Sequence, residues 1–156
     1  INDMPALAAI LQPYVDQMTA QGINKIVLLS HLQQNAFELQ LATLLRGVDV
    51  IIAGGSNAIF ADATDPLAPG DTAANTYPVF RTGADGRPVA VVNTGGEFSY
   101  VGRLVVTFDD EGVIIPSSVD PAISGAYVTT EAGVDRVAGN GDGTLSAAER
   151  AVIFAD

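Results

Sequence analysis

The chain has 156 residues, of which 18 are acidic and 7 basic, so its net charge is −11 at neutral pH. This charge argues against binding to duplex nucleic acid, which needs clustered Lys and Arg, and disfavours anionic membranes. Hydrophobic residues make up 48% of the chain, enough for the core of one domain. The absence of cysteine excludes disulfides, thiolate nucleophiles and cysteine-based zinc sites. No apolar run is long enough to span a bilayer, and no signal peptide is visible at Ile1.

The first predicted element is helical and covers residues 4–21, where apolar residues recur at helical spacing. Pro13 lacks an amide hydrogen and would break a continuous helix. The sequence therefore predicts two pieces, with Pro13 as the first residue of the second piece and Gly22 ending it.

Two apolar runs, residues 25–30 and 48–53, read as buried strands. Between them residues 34–46 have a helical period, and Gly47 stands where a helix C-cap is expected. Strands joined by an amphipathic helix are typical of a β-α-β unit, in which the strands are parallel and the crossover is right-handed.

The rest of the chain is richer in turns. Residues 54–76 are small and polar with little periodicity, which predicts a long loop of the kind that is usually functional or mobile. Two hairpins are predicted next, each around an acidic, glycine-containing turn. Their strands are residues 77–82 with 88–94, and residues 101–108 with 113–116.

The predicted fold is therefore α/β, a parallel β-α-β unit whose sheet is extended by β-hairpins and flanked by helices. The predicted organisation is an α/β domain over residues 1–116, a linker over 117–137, and a loop with a terminal helix over 138–156.

Candidate functional residues follow the two parallel strands, because ligands of open α/β sheets bind beyond the carboxyl ends of the strands. His31, the only histidine, follows the first strand and can act as a metal ligand or as an acid or base. The second strand ends in Gly54, Gly55, Ser56 and Asn57, which offer close backbone approach and oxygen ligands. A structural histidine beside an ordinary Gly-Gly turn is the alternative, and no phosphate-binding or dinucleotide fingerprint is present.

Several fragments in this order resemble the late part of the calcineurin-like metallophosphoesterase domain of bacterial 5′-nucleotidases. They are Lys-Ile-Val-Leu-Leu-Ser-His-Leu at 25–32, Leu-Arg-Gly-Val-Asp-Val-Ile-Ile-Ala-Gly-Gly at 45–55, and the segments 84–92 and 100–109. The resemblance covers residues 13–115. It implies the second half of a helix–sheet–sheet–helix (αββα) sandwich, with one sheet face left uncovered.

The resemblance also implies roles for these residues. His31 matches a histidine that binds one ion of the family's two-metal site, and residues 54–57 would border the substrate. Where the family has Gly-Gly-His-x-His, this chain has Gly-Gly-Ser-Asn-Ala, so both histidines are replaced. Oxygen ligands such as Asn57 or Asp62 are expected to substitute for them in part. Phosphoester hydrolysis of this kind needs two cations about 3.5–4 Å apart. The family's Asp-x-His, Gly-Asp and Asn-His-Glu motifs are absent from this sequence.

The resemblance thus predicts a fragment of a metal-dependent phosphoester hydrolase that acts on nucleotides or other phosphate esters and is inactive in isolation. The alternative is a non-catalytic binding or structural module that kept the fold and lost the ligands. The expected location is extracytoplasmic, either periplasmic or secreted. The uncovered sheet face predicts a homo-oligomer or pairing with a missing N-terminal half.

A second motif lies near the C-terminus and fits an EF-hand calcium loop that ends at Glu149 as position 12. The calcium ligands would be Asn140, Asp142, the Thr144 carbonyl and Glu149. Position 1 is Ala138, so water or Asp135 would replace the missing first ligand. The alternative is a glycine-rich turn in which Ser146 and Glu149 form a capping box for the final helix.

Overall fold

A computed structural model of the protein describes residues 2–155; Ile1 and Asp156, the outer bounds of two predicted segments, lie outside the described residues. The helices are α1 (Met4–Ala20), α2 (Asn35–Leu44), α3 (Glu131–Ala138) and α4 (Ala147–Ile153), with a 3₁₀ turn at Pro116–Ser118. The strands are β1 (Val27–Leu29), β2 (Val50–Ile52), β3 (Ile59–Phe60), β4 (Ala73–Asn75), β5 (Val79–Thr82), β6 (Pro88–Val92), β7 (Tyr100–Arg103), β8 (Thr107–Phe108), β9 (Ile114–Ile115) and β10 (Gly125–Val128). None of the helices within this described part is long and apolar enough to cross a membrane.

The main sheet has four strands in the order β1-β2-β6-β5. Strands β1 and β2 are parallel, with Val27 opposite Val50, and this confirms the predicted β-α-β unit. Strand β6 is parallel to β2 on its other side, while β5 and β6 form the predicted antiparallel hairpin. The predicted α/β class is correct, and the sheet contains three parallel strands instead of the two that the sequence indicated.

Helix α1 is continuous, so the prediction of two pieces separated at Pro13 is wrong. Pro13 is exposed inside the helix. Ala8 and Val15, on the opposite face, are buried in the core. Burial of this face offsets the hydrogen bond that a proline removes from a helix interior. The helix ends before Gly22, as predicted, and the Asp3 carboxylate caps its first turn by accepting from the Ala6 amide.

One face of the sheet is covered by α1 and α2, and this is where the core lies. Leu41 and Leu45 pack here against Ile51 and Val91, all less than 2% exposed. Helix α2 ends at Leu44, which is earlier than predicted, and Leu45 is its extended C-cap. The prediction of Gly47 as C-cap is therefore wrong; Gly47 (φ 72°) makes the turn that leads into β2.

The other face of the sheet is covered only in part. Strands β8 and β9 form the second predicted hairpin and pack over its middle. Val27 and Leu29 remain 54% and 73% exposed at the uncovered end. A cavity of about 470 Å³ opens there, lined by Val27, Val50, Ile52, Leu104, Val106 and Phe108, among others. The prediction of an exposed apolar sheet surface is confirmed.

Residues 117–137 are not a linker. They contain β10 and α3, and β10 pairs antiparallel with β7 through residues 100–103. This pairing also corrects the predicted strand 101–108, which divides into β7 and β8 because its first half leaves the hairpin to join β10. The pairing joins segments more than 20 residues apart, so local sequence patterns do not reveal it. The predicted division of the chain into an α/β domain over residues 1–116 and a loop with a terminal helix over 138–156 stays a prediction.

The segment 54–76, predicted as a loop, contains the short parallel pair β3 and β4 and is tied down by polar side chains. The Tyr100 hydroxyl accepts from the Ala68 amide at 2.8 Å and donates to the Asp71 carboxylate at 2.6 Å. Burial, followed by the hydrogen bond to Asp71, raises the pKa of Tyr100, so the phenol stays protonated and donating at neutral pH.

Asp65 fixes the same segment to the C-terminal elements. Its side chain is fully buried and forms an ion pair with Arg136 of α3. Its second oxygen accepts from the amides of Asp62 and Ala126, each at 3.0 Å. A buried ion pair contributes to stability only when its remaining lone pairs are also satisfied, as they are here.

We expect Asp65→Ala to lower the free energy of unfolding by about 3–5 kcal/mol, because it leaves a mostly buried arginine without its partner. Asp16→Ala is the control, since Asp16 pairs with Arg46 while both side chains are 56% exposed. That exposed pair should contribute less than about 1 kcal/mol. Urea unfolding of the two variants measures the difference, and equal losses would contradict the role assigned to Asp65.

Candidate functional site

Three chain segments meet at one edge of the sheet, where the parallel strands β1, β2 and β6 end. They are Ser30–His31 after β1, residues 54–57 after β2, and residues 93–97 after β6. The first two were predicted to lie together. The third was missed, although its Gly95-Gly96 pair repeats the Gly-Gly signal that follows β2.

His31 packs directly on the glycines of the second strand end. A Cβ atom added at Gly55 would lie 2.8 Å from Nε2 of His31, and one at Gly54 would lie 3.4 Å from Nδ1. Gly55 also has φ +78°, a conformation that other residues rarely adopt. Both glycines therefore leave room for the imidazole, which stays exposed at the edge.

Glu38 of α2 holds the turn that carries His31, and sequence reasoning missed it. Its Oε1 accepts from the Ser30 hydroxyl at 2.5 Å and from the Leu32 amide at 3.1 Å, one residue to either side of His31. Glu38 is fully buried, and among the described residues nothing donates to its Oε2. The sequence does place Glu38 three residues before Leu41, on the apolar stripe of the predicted helix. This position could have indicated that its carboxylate is buried.

The side chains of Ser56 and Asn57 contact partners other than the two glycines on which His31 packs. The Ser56 hydroxyl accepts from the Ala58 amide at 3.1 Å, within its own turn. Asn57 lies against Gly96, where an added Cβ would be 3.0 Å from its Oδ1. A polar cavity of about 190 Å³ opens at this point, lined by Asn57, Asp71, Glu97, Ser99 and Tyr100, among others. His31 does not line this cavity.

Backbone strain is concentrated at the same edge. Within residues 2–155, the non-glycine residues with positive φ are Gln33, Glu97 and Phe98. Gln33 follows β1, while Glu97 and Phe98 follow β6. Each such residue costs about 1–3 kcal/mol, and strain of this kind often marks binding or catalytic sites. The strained positions add independent support for a functional role of the edge.

The residues present do not by themselves make a metal centre. Across residues 2–155, no three His, Asp or Glu side chains gather where they could hold one ion. His31 packs on glycine backbone and does not line the cavity that Asn57 lines. A two-metal site would need several more ligands than this chain offers.

The predicted calcium residues lie in a separate loop that is closed by its own hydrogen bonds. Asn140 Oδ1 accepts from the Asp142 amide, and Asp142 Oδ1 accepts from the Thr144 amide. The Glu149 carboxylate accepts from Asn140 and Ser146, and the Ser146 hydroxyl accepts from the Glu149 amide. The predicted capping box is therefore present at the start of α4.

Comparison with known proteins gives consistent relatives, although no protein-family model matches the chain. It is 36% identical over 115 residues to the snake venom 5′-nucleotidase of Naja atra, covering 72% of this chain and 21% of that protein. It is 35% identical over 124 residues to the 5′-nucleotidase of Mus musculus, covering 78% of this chain and 21% of that protein.

Two solved structures share the fold. One is the NAD nucleotidase of Haemophilus influenzae, with a TM-score of 0.64 and 26% identity over 79% of this chain and 25% of that one. The other is the 5′-nucleotidase precursor from Thermus thermophilus, with a TM-score of 0.64 and 30% identity over 82% of this chain and 23% of that one. The resemblance found in the sequence is thus confirmed: the chain is related to the 5′-nucleotidases and spans about a fifth of the length of the relatives it matches.

Proposed function

We propose that this chain is part of a longer metal-dependent phosphoester hydrolase that acts on nucleotides or related phosphate esters. The observation that supports this most is the position of His31, exposed at the carboxyl edge and packed on Gly54 and Gly55. An edge of this kind is where α/β sheets bind ligands. The 5′-nucleotidase relatives supply the reaction class.

In this proposal the chain contributes one part of the active site. His31 offers an exposed imidazole to a divalent metal ion, and Glu38 holds the turn on which His31 stands. Asn57 adds an oxygen ligand, and the backbone of residues 54–57 borders the substrate. The other metal ligands come from outside this chain, so we expect the 156 residues alone to be inactive.

A non-catalytic module is the second candidate, and one observation favours it. Ser56 and Ala58 occupy the positions where the resembling family has two histidines. A chain that kept the strained edge and lost these ligands would still bind a polar partner in the cavity beside Asn57. Under this alternative His31 has a structural role only.

We also propose that the uncovered sheet face is buried in the complete protein. Val27 and Leu29 lie on one side of β1 and form an apolar surface that a second sheet would cover. Self-association of isolated chains through this face is the alternative. We propose an extracytoplasmic location, periplasmic or secreted, because the relatives include venom enzymes and a precursor.

The direct test is a phosphatase assay on the full-length parent, with nucleotides and a simple phosphate ester, in the presence of several divalent metals. The parent should be active and should lose activity on chelation. His31→Ala should lower kcat/KM by about tenfold or more, as loss of even a supporting metal-site residue does. Gln40→Ala, an exposed change on the same helix as Glu38, should have no effect.

Inactivity of the parent with every metal and ester would contradict the hydrolase proposal. Unchanged activity of the His31→Ala parent would instead support the non-catalytic reading of this segment. Robust turnover by the purified 156-residue chain would show that it needs no outside ligands, against our expectation.

Glu38 gives a prediction about positioning. Glu38→Ala leaves the Leu32 amide and the Ser30 hydroxyl without their acceptor, which should cost about 1–3 kcal/mol of stability. In the parent it should also weaken metal binding by about 10–100-fold, because His31 is no longer oriented. Glu38→Gln keeps an acceptor oxygen and should restore most of both quantities.

Calorimetric metal titration and urea unfolding measure these effects, with the exposed Glu111→Ala as control. A Glu38→Ala parent that loses stability but binds metal normally would reduce Glu38 to a folding role.

A further inference from the structure

The C-terminal loop is not used by the proposed hydrolase site. Its oxygen-bearing side chains follow the spacing of an EF-hand loop that ends at Glu149, with Gly143 at the sixth position. The pattern fails at the first position, where Ala138 has no oxygen. Such a spacing alone defines only a turn, so the structure must supply the missing carboxylate for a site to exist.

Asp135 of α3 supplies a carboxylate at the right place. Its Oδ2 accepts from the Gly143 amide at 2.6 Å, the backbone group that begins the sharp turn of the loop. Its Oδ1 lies against Gly139, since a Cβ added there would collide with it. Both oxygens of Asp135 therefore face the loop, one turn of helix before Ala138.

The second oxygen of Asp135 is the independent observation. Asp135 is 0% exposed, and among residues 2–155 nothing donates a hydrogen bond to Oδ1. An unpaired buried carboxylate oxygen is costly, and each such group calls for an explanation. A cation bound beside the loop would satisfy it.

The arginines near the loop pair with carboxylates other than Asp135, so they do not take the place of a cation beside it. Arg136 is paired with Asp65, and Arg150 is paired with Glu131.

We propose that residues 135–149 form a calcium site in which Asp135 replaces the first ligand of an EF-hand loop. The ligands are Asp135 Oδ1, Asn140 Oδ1, the Asp142 carboxylate, the Thr144 carbonyl and the Glu149 carboxylate. Binding must draw them together, because across residues 2–155 no three acidic side chains already gather where they could hold one ion. On binding, Glu149 exchanges its hydrogen bonds with the Asn140 and Ser146 amides for the ion. The Ser146 hydroxyl continues to cap α4 by accepting from the Glu149 amide.

An oxygen-only, flexible ligand set of this kind favours calcium over magnesium, which demands a near-ideal octahedron. Three carboxylates neutralise the ion, but one of them comes from a preceding helix instead of the loop. We therefore expect an affinity at the weak end of the EF-hand range, with a Kd of about 10⁻⁴–10⁻³ M.

Calorimetry on the 156-residue chain with CaCl₂ and with MgCl₂ tests the proposal. We expect one calcium per chain and weaker binding of magnesium. Glu149→Gln keeps the capping box, since glutamine also completes it, and removes the charge. It should weaken calcium binding by about tenfold or more, at least as much as the loss of a ligand-orienting residue.

Asp135→Asn tests the new ligand, because asparagine still accepts from the Gly143 amide but carries no charge. It should weaken binding to a similar extent. Asp110→Asn is the matched control, an exposed site outside the loop with the same change in net charge, and should bind as the wild type does. Thermal unfolding followed by circular dichroism in EDTA verifies that each variant is folded.

Nitrogen-15 NMR keeps the test decisive if Asp135→Asn does not fold. In the wild type, the amides of Gly141, Gly143 and Thr144 should shift with calcium, and in Glu149→Gln the same shifts should need about tenfold more calcium or more. A wild type with no heat and no shifts up to about 10 mM calcium, well above the expected range, would overturn the site. Normal binding by folded Asp135→Asn would overturn the assignment of Asp135 as a ligand.

Discussion

Buried carboxylates that accept backbone amides fix the connecting segments of this fold to its core. The strands are only two to five residues long, so the sheets supply few hydrogen bonds to the segments between them. Glu38, Asp49, Asp65 and Asp135 are each less than 9% exposed. Their carboxylates accept from the amides of Leu32, Ile26, Ala126 and Gly143, respectively. Burial raises the pKa of Asp49, which is the expected cost of placing such a group in a core.

Two of these carboxylates link the fold to function. Glu38 bridges Ser30 and Leu32, and thereby fixes the backbone on both sides of His31. Asp135 faces the C-terminal loop, and one of its oxygens has no hydrogen-bond partner within the described part of the chain. The parallel pairing of β1, β2 and β6 then brings three strand ends to a single edge, where the strained residues also lie. In each case a residue that stabilises the fold also positions a candidate ligand or supplies one.

The sequence predicts the local parts of this arrangement well. Apolar runs around an amphipathic helix are sufficient to predict the β-α-β unit, and a short right-handed crossover is sufficient to place His31 beside Gly54. The sequence does not reveal β6 as the third parallel strand, because its hairpin signal points only to β5. It also does not reveal β10, whose partner β7 lies far away in the chain. Glu38 was missed because a charged residue on a helix usually faces solvent, and Pro13 was misjudged because tertiary packing outweighed its intrinsic preference.

The central claim is that the carboxyl edge is part of a metal-dependent active site through His31. Crystals of the full-length parent grown with zinc or manganese, measured on both sides of the metal absorption edge, test it most directly. We predict an anomalous peak within bonding distance of a His31 ring nitrogen, about 2.0–2.1 Å for zinc. A parent that hydrolyses phosphate esters with its metal ions bound away from His31 would contradict the account.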